Sequence, residues 1–280
     1  MGDLTDCDDH LRRHSTAVMY LSVLMGMKLC DYLAKQRRHI DPARAREVTN
    51  LGIGAMLHDV GIPQLDQSVR DCYDVIGDEN DPAWQEHPSL GYDMVRGEIE
   101  PSAATVVLHH HQRRDGSGYA GARWPAINGK RIHVFAQIAA LADQFDRMCH
   151  PVNRPQQPAV CVLRTLLEEA IGETFEPQVL QALCLVTPPY PPGSVVRLTD
   201  DQWAVVVRHN GADPCHPIVQ IVPGPPESFG ADDVAPGPEL DLSRTAGELH
   251  VAEHDGWDVT KLNFEPPPLL QGSRAAVAYL

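Results

Sequence analysis

Residues 58–63 read His58-Asp59-Val60-Gly61-Ile62-Pro63, "HDVGIP", an imidazole and a carboxylate side by side at the end of an apolar stretch that Gly61 and Pro63 close. Upstream, Asp41 is a good N-cap and Pro42 suits the first helical position, so the spacing predicts a helix over about 42–58. Neighbours on a helix lie about 100° apart, so His58 and Asp59 both face inward only where that helix end borders a cavity between helices. Helical bundles build metal sites in such cavities.

Similar residue types recur on both sides of this stretch. His14 lies in a segment, 10–33, whose apolar positions (Leu11, Ala17, Val18, Leu21, Leu24, Met25, Met27 and Leu29) predict a helix buried on most sides. His87 opens "HPSLGYDMV", His110 and His111 belong to "HHHQRRDGSGYAG" at 109, and Asp143 stands in "IAALADQFDRM" at 138. Neutral imidazole suits iron, manganese, zinc or nickel, and a carboxylate can bridge two ions. Five histidines and two aspartates are too many for one ion. Alanines and leucines around Asp143 predict burial, and a buried unpaired carboxylate is costly, so it calls for a metal or a hydrogen-bonded partner. The two-glycine turn "DGSGY" directly after the histidine triplet points to a site rather than a solvated helix end.

Composition narrows the function. The 280 residues carry 23 Lys and Arg against 38 Asp and Glu, a net charge of −15, which repels the phosphates of duplex nucleic acid. Seven cysteines without a CxxC pair indicate neither a disulfide framework nor a cysteine-based zinc site, and fit a reducing cytoplasm. The longest apolar run, 17–29, is short for a membrane span, and the acidic start is unlike a signal peptide. Fourteen histidines against seven tyrosines and five phenylalanines point to metal chemistry.

Further helices are predicted at 82–96, 101–111, 132–148, 157–171 and 177–186. After the linker "PPYPPGS", short β-branched runs at 195–198, 203–208 and 218–222 predict a small β-meander. The expected organisation is a mainly α helical bundle over 1–190, a short β-extension over 191–222, and a Pro/Gly-rich, loosely ordered tail over 223–280.

The four motifs at 58, 87, 109 and 138 resemble, in order and spacing, the HD-GYP subgroup of the HD phosphohydrolase superfamily. The similarity covers about 10–187, and "PPYPPGSVVRLTDDQWAVVV" looks like the β-extension that often follows such a domain. The resemblance implies an HD-type helical bundle with two or three metal ions, usually iron or manganese, that hydrolyses cyclic di-GMP to a linear dinucleotide and then to GMP. Carried over by position, His14, His58, Asp59 and Asp143 match the HD metal shell, with Asp59 as the bridge and the pair His58 and Asp59 at the centre of catalysis. His87, His110 and His111 match the ligands of the second ion. Asp115, Gly116, Gly118 and Tyr119 resemble the loop that shapes the nucleotide pocket. The implied chemistry is in-line attack on phosphorus while the ions neutralise charge on the phosphate oxygens.

The chain departs from the family on the substrate side. Ile62 stands where HDxGK has lysine, Ala120 replaces the proline of GYP, Gln112 replaces a glutamate, and Gln137 stands where arginine is frequent. Three-metal members carry a glutamate four residues before the first histidine. Here that position is His10, which shares a helix face with His14 and offers a nitrogen ligand instead, leaving the third ion doubtful. Arg113, Arg114, Lys130, Arg131 and Arg154 are candidate replacements for the lost cation, with Arg113 and Arg154 placed on substrate. Three activities follow: a cyclic di-GMP phosphodiesterase, a receptor or interaction module without turnover, or a phosphohydrolase of another ester. The expected partner is a small cyclic dinucleotide, with neither duplex nucleic acid nor membrane. A signalling-protein partner and a homodimer stay open.

Overall fold

The structure is a computed structural model and describes residues 9–169, 174–225, 237–245 and 247–264. Helix α1 (Asp9–Lys28) turns His14, Ser15, Val18, Ser22 and Met25 inward, a spacing of three to four that keeps them on one face. Its other face exposes Tyr20 and Met27, so the helix is amphipathic rather than buried on most sides. Helix α2 (Cys30–Gln36) leaves at a bend of 84°. The bent pair has the length and composition of a span, but no single helix among the described residues is long and apolar enough to cross a membrane.

The helix expected over 42–58 is two, α3 (Pro42–Arg46) and α4 (Thr49–Met56), because Glu47 is extended between them. Asp41 caps α3 as expected, accepting from the N–H groups of Ala43 and Arg44. There follow α5 (Gln67–Ile76), which the sequence reading did not foresee, α6 (His87–Val95), α7 (Pro101–His109), α8 (Val134–Cys149), α9 (Ala159–Glu169) and α10 (Pro177–Val186). Helix α1 packs on α4, α8 and α10, and α7 packs on α4, α6 and α8. Helix α8 buries Phe135, Ile138, Leu141 and Ala142 through the middle of this bundle. Its apolar positions repeat at three and four, and burial of side chains of this size contributes about 1.5–3 kcal/mol each.

The chain divides into two units. One comprises residues up to Gln156 together with Glu169–Val186; the other takes in Gln157–Glu168 and the described residues from Thr187 onward. The second unit holds one antiparallel sheet of β1 (Val195–Leu198), β2 (Trp203–Arg208), β3 (Ile218–Val222), β4 (Glu239–Asp241), β5 (Val251–His254) and β6 (Trp257–Asp258). The spatial order is β4-β3-β2-β1-β5-β6. Val195 lies opposite Val205 and Arg197 opposite Trp203, which buries the alternate residues Val196, Leu198, Ala204 and Val206. The first three strands are the predicted ones. The boundary expected at 222 is corrected: β4, β5 and β6 come from the stretch expected to be a loosely ordered tail, while 226–236, 246 and 265–280 lie outside the described residues. The boundary at 190 also moves, because most of α9 groups with the sheet.

Candidate metal centre

Each candidate ligand sits where a helix of the first unit ends or turns inward. Helix α4 stops at Met56, and the turn that follows brings His58 and Asp59 inside. Gly61 lets that turn lie against α6: a Cβ there would stand 2.0 Å from the His87 carbonyl oxygen. His87 is the first residue of α6, and His110 and His111 follow the last residue of α7. His14 on α1 and Asp143 on α8 complete the set. All seven are buried.

Their hydrogen bonds fix the chemistry of the nitrogens. His58 Nδ1 donates to the carbonyl of Ala55 (2.7 Å), His87 Nδ1 to that of Trp84 (2.8 Å), and His110 Nδ1 to that of Val107 (2.9 Å). A carbonyl can only accept, so each Nδ1 carries its proton and the ligating lone pair belongs to Nε2. His87 Nε2 lies 3.3 Å from His110 Nε2 and 3.1 Å from His111 Nε2. Burial pushes His110 down to about 4 and holds His111 well below the ordinary histidine value, so these rings are neutral. Facing lone pairs repel; a cation between them converts the contact into ligation.

The carboxylates share the same logic. Asp59 Oδ1 has no hydrogen-bond partner and lies 3.3 Å from His87 Nε2 and 3.4 Å from His110 Nε2. Asp59 Oδ2 faces the other way, 3.3 Å from His58 Nε2 and 3.7 Å from His14 Nε2. Asp143 Oδ1 lies 3.0 Å from His14 Nε2 and 3.6 Å from His58 Nε2. Burial works against ionisation of both acids. Even so, His58 and Arg147 hold Asp59, and Arg147 and His14 hold Asp143, well below the usual carboxylate range. The same carboxylates, against the effect of burial, push His58 up to about 10, so the metal-free cluster draws in a proton where a divalent ion would supply charge. The donor set fits a divalent metal centre. One group is Asp59, His87, His110 and His111, and the other His14, His58 and Asp59 with Asp143 beside them. Asp59 belongs to both.

Two residues absent from the sequence reading support this cluster. Asp146 accepts from His14 Nδ1 at 2.6 Å and so orients its ring, as outer carboxylates do around metal-bound histidine. Arg147 bonds Asp143 Oδ1 (2.6 Å) and Asp59 Oδ2 (2.9 Å). The available signal was spacing, since 143, 146 and 147 share one face of α8.

The expected substrate residues are dispersed. Tyr119 stacks on His111, ring centroids 4.6 Å apart, with its buried hydroxyl lacking a hydrogen-bond partner. Gly118 lies against the His111 backbone, and Asp115 closes its own turn by accepting from Ser117 N at 2.9 Å, ahead of Gly116 at φ +85°. Arg113 is spent on the carbonyls of His110 and Gln112 and on Gln144 Oε1. Arg114 pairs with Glu176 at 2.5 Å, while Lys130 and Arg131 line a groove with Arg37 and Arg44 that contains none of the cluster residues. Arg154 is exposed. Thus none of the five expected cations contacts Asp59 or Asp143; among the described residues it is Arg147 that does. His10 is exposed and outside both ligand groups; His109, the first of the histidine triplet, is half-buried and also outside them. Gln112 and Gln137 hold backbone instead of substrate, Gln112 Oε1 accepting from Ile127 N and Gln137 Nε2 donating to Ile132 O.

Residues 11–148, which contain all seven buried candidate ligands, match the family model described as "HD domain". The chain carries an HD domain. The four motifs that resemble the HD-GYP subgroup all lie within or at the edge of the matched span. Among curated relatives, it is 27% identical over 247 residues to the Pseudomonas aeruginosa protein named cyclic di-GMP phosphodiesterase PA4108, covering 86% of this chain and 54% of that one. It is 30% identical over 142 residues to the cyclic di-GMP phosphodiesterase response regulator RpfG of Xanthomonas campestris pv. campestris, covering 49% and 36%. The HD domain chain thus spans about half the length, or less, of these relatives. Among solved structures it is similar to Bd1817, an HDG"Y"P protein from Bdellovibrio bacteriovorus, with a TM-score of 0.44 and 19% identity over 62% of this chain and 51% of that one.

Proposed function

We propose that this HD domain protein is a metal-dependent phosphodiesterase that hydrolyses cyclic di-GMP to the linear dinucleotide and onward to GMP. The observation that carries the reading is the sharing of one buried carboxylate: Asp59 turns Oδ1 to His87 and His110 and Oδ2 to His14 and His58. That arrangement suits two divalent ions, iron or manganese, one held by His14, His58, Asp59 and Asp143 and one by Asp59, His87, His110 and His111. When bound, the ions activate water and neutralise charge on the phosphate oxygens, which a chain of net charge −15 does not otherwise provide.

The protein's own residues supply position. Backbone carbonyls fix the rings of His58, His87 and His110, and Asp146 fixes His14, so the nitrogens are aimed before substrate arrives. Tyr119, held on His111, offers its hydroxyl to the phosphate or the base, and Asp115, Gly116 and Gly118 shape the loop that carries it. Arg154 supplies a second phosphate contact from the surface, and Arg113 acts as a positioning residue through His110 and Gln112. A water oxygen bonds to phosphorus as the bond to one ribose oxygen breaks, a proton passes to that oxygen, and the ring opens. The names of the relatives point to the same substrate.

The test is to load the protein with iron(II) without oxygen, or with manganese(II), incubate it with cyclic di-GMP and separate the products. Linear dinucleotide or GMP is expected, and neither from Asp59→Ala. Intact substrate beside metal-loaded protein would overturn the phosphodiesterase reading and leave a receptor or a phosphohydrolase of another ester.

A further inference from the structure

Arg147 reaches into one half of the cluster only. Its side chain is 14% exposed, its Nε lies 2.6 Å from Asp143 Oδ1, and its Nη2 lies 2.9 Å from Asp59 Oδ2. Its remaining nitrogen donates to the Tyr73 hydroxyl at 2.8 Å, with Glu79 at 3.7 Å. Tyr73 in turn stacks face to face on Trp84, 3.6 Å between centroids, so the guanidinium is anchored rather than swinging. The two oxygens it binds are the ones that face His14 and His58. Asp59 Oδ1, which faces His87 and His110, makes no hydrogen bond to it.

Two buried carboxylates this close repel unless a cation lies between them, and one guanidinium fork suits two carboxylate oxygens. A divalent ion in the His14 group would use the same two oxygens and meet a fixed positive charge beside them; an ion in the His87 group would use Asp59 Oδ1, to which Arg147 makes no hydrogen bond. We propose that Arg147 is a built-in counter-cation of the His14 group: it holds Asp59 and Asp143 together without metal and competes with the ion for them, so the two ions bind in order. The His87 group fills first, and the His14 group is the weaker site. The inference rests on the cluster being a metal centre.

The test is a Mn²⁺ titration of metal-free protein, read by equilibrium dialysis and by the rise in melting temperature. Wild type should show a tight and a weak class of site, and His14→Ala should delete the weak one. In Arg147→Met the weak class should tighten by about ten-fold or more, roughly 1.4 kcal/mol per decade. The melting rise caused by Mn²⁺ should grow, because the metal-free variant has lost its compensating charge. Arg147→Gln, which keeps a donor without the charge, should shift the same way, and Arg147→Lys should stay close to wild type. If Arg147→Met folds only with Mn²⁺ present, the ion is replacing the guanidinium, as expected. Unchanged classes in both neutral variants, loss of the weak class in them, or failure of both to fold even with Mn²⁺ would overturn the proposal. Absence of Mn²⁺ binding to wild type and variants alike would instead overturn the metal-centre reading beneath it.

Discussion

Gly118 shows how tightly the loop of Asp115–Tyr119 is tied to the candidate metal centre. A Cβ at this position would stand 2.1 Å from the His111 carbonyl oxygen and 2.6 Å from the Arg113 nitrogen, both of them backbone atoms. The loop would have to lift, and with it Tyr119, whose N–H donates to the same His111 carbonyl and whose ring stacks on His111. Gly118→Ala is therefore expected to cost about 1–3 kcal/mol in urea unfolding and to raise the KM for substrate more than it changes metal content. A variant with wild-type stability and KM would show that the loop is not held this way. At this scale much of the candidate centre was legible in the sequence, because histidines and aspartates embedded in apolar helix are costly unless they have partners. Arg147 and Asp146 were not, because charged residues beside a buried aspartate are usually solvated, and only the packing of α8 on α1 and α4 turns these two inward. The departures at Gln112 and Gln137 looked like losses on the substrate side; each amide instead ties down a backbone group of the loop or helix start.

Helix ends carry the site, and helix α8 has an unusual one. His133 is its N-cap, and its Nδ1 accepts from the Phe135 N–H at 3.2 Å, which only a neutral imidazole can do. Burial, aided by Arg37, pushes His133 from 6.5 down to about 4. Between those values the unfolded chain binds a proton that the folded chain refuses. This contribution to stability is complete above about pH 6.5 and is lost as the pH falls towards about 4. In His133→Asn, which keeps an acceptor and does not titrate, the loss of stability between about pH 7 and pH 5 should be smaller than in wild type, measured by urea midpoints. An identical acid slope would remove His133 from the account. Helix positions were readable from caps and periodicity, as at Asp41 and over 177–186. Helix α5 was missed although Val69, Cys72, Tyr73 and Ile76 recur at helical spacing, a stripe that is not fully buried in the fold, whereas the break at Glu47 leaves no mark in the apolar pattern.

At the scale of the molecule, charge and chain path explain what sequence reading placed and misplaced. A net charge of −15 argued against nucleic acid, and fourteen histidines against seven tyrosines and five phenylalanines argued for metal chemistry. The sheet was underestimated because β4 and β6 are only three and two residues long, too short for an alternating pattern to register. The unit that holds the candidate centre is discontinuous in sequence, since residues 157–168 group with the sheet, so a linear scan for linkers places its boundary wrongly. The central claim is a paired metal centre that shares Asp59, and metal content per chain after anaerobic reconstitution with iron(II) tests it most directly. The account predicts two ions in wild type, one in His14→Ala, one in His110→Ala and almost none in Asp59→Ala. A wild-type content in Asp59→Ala, or no retained metal in folded wild type, would contradict it.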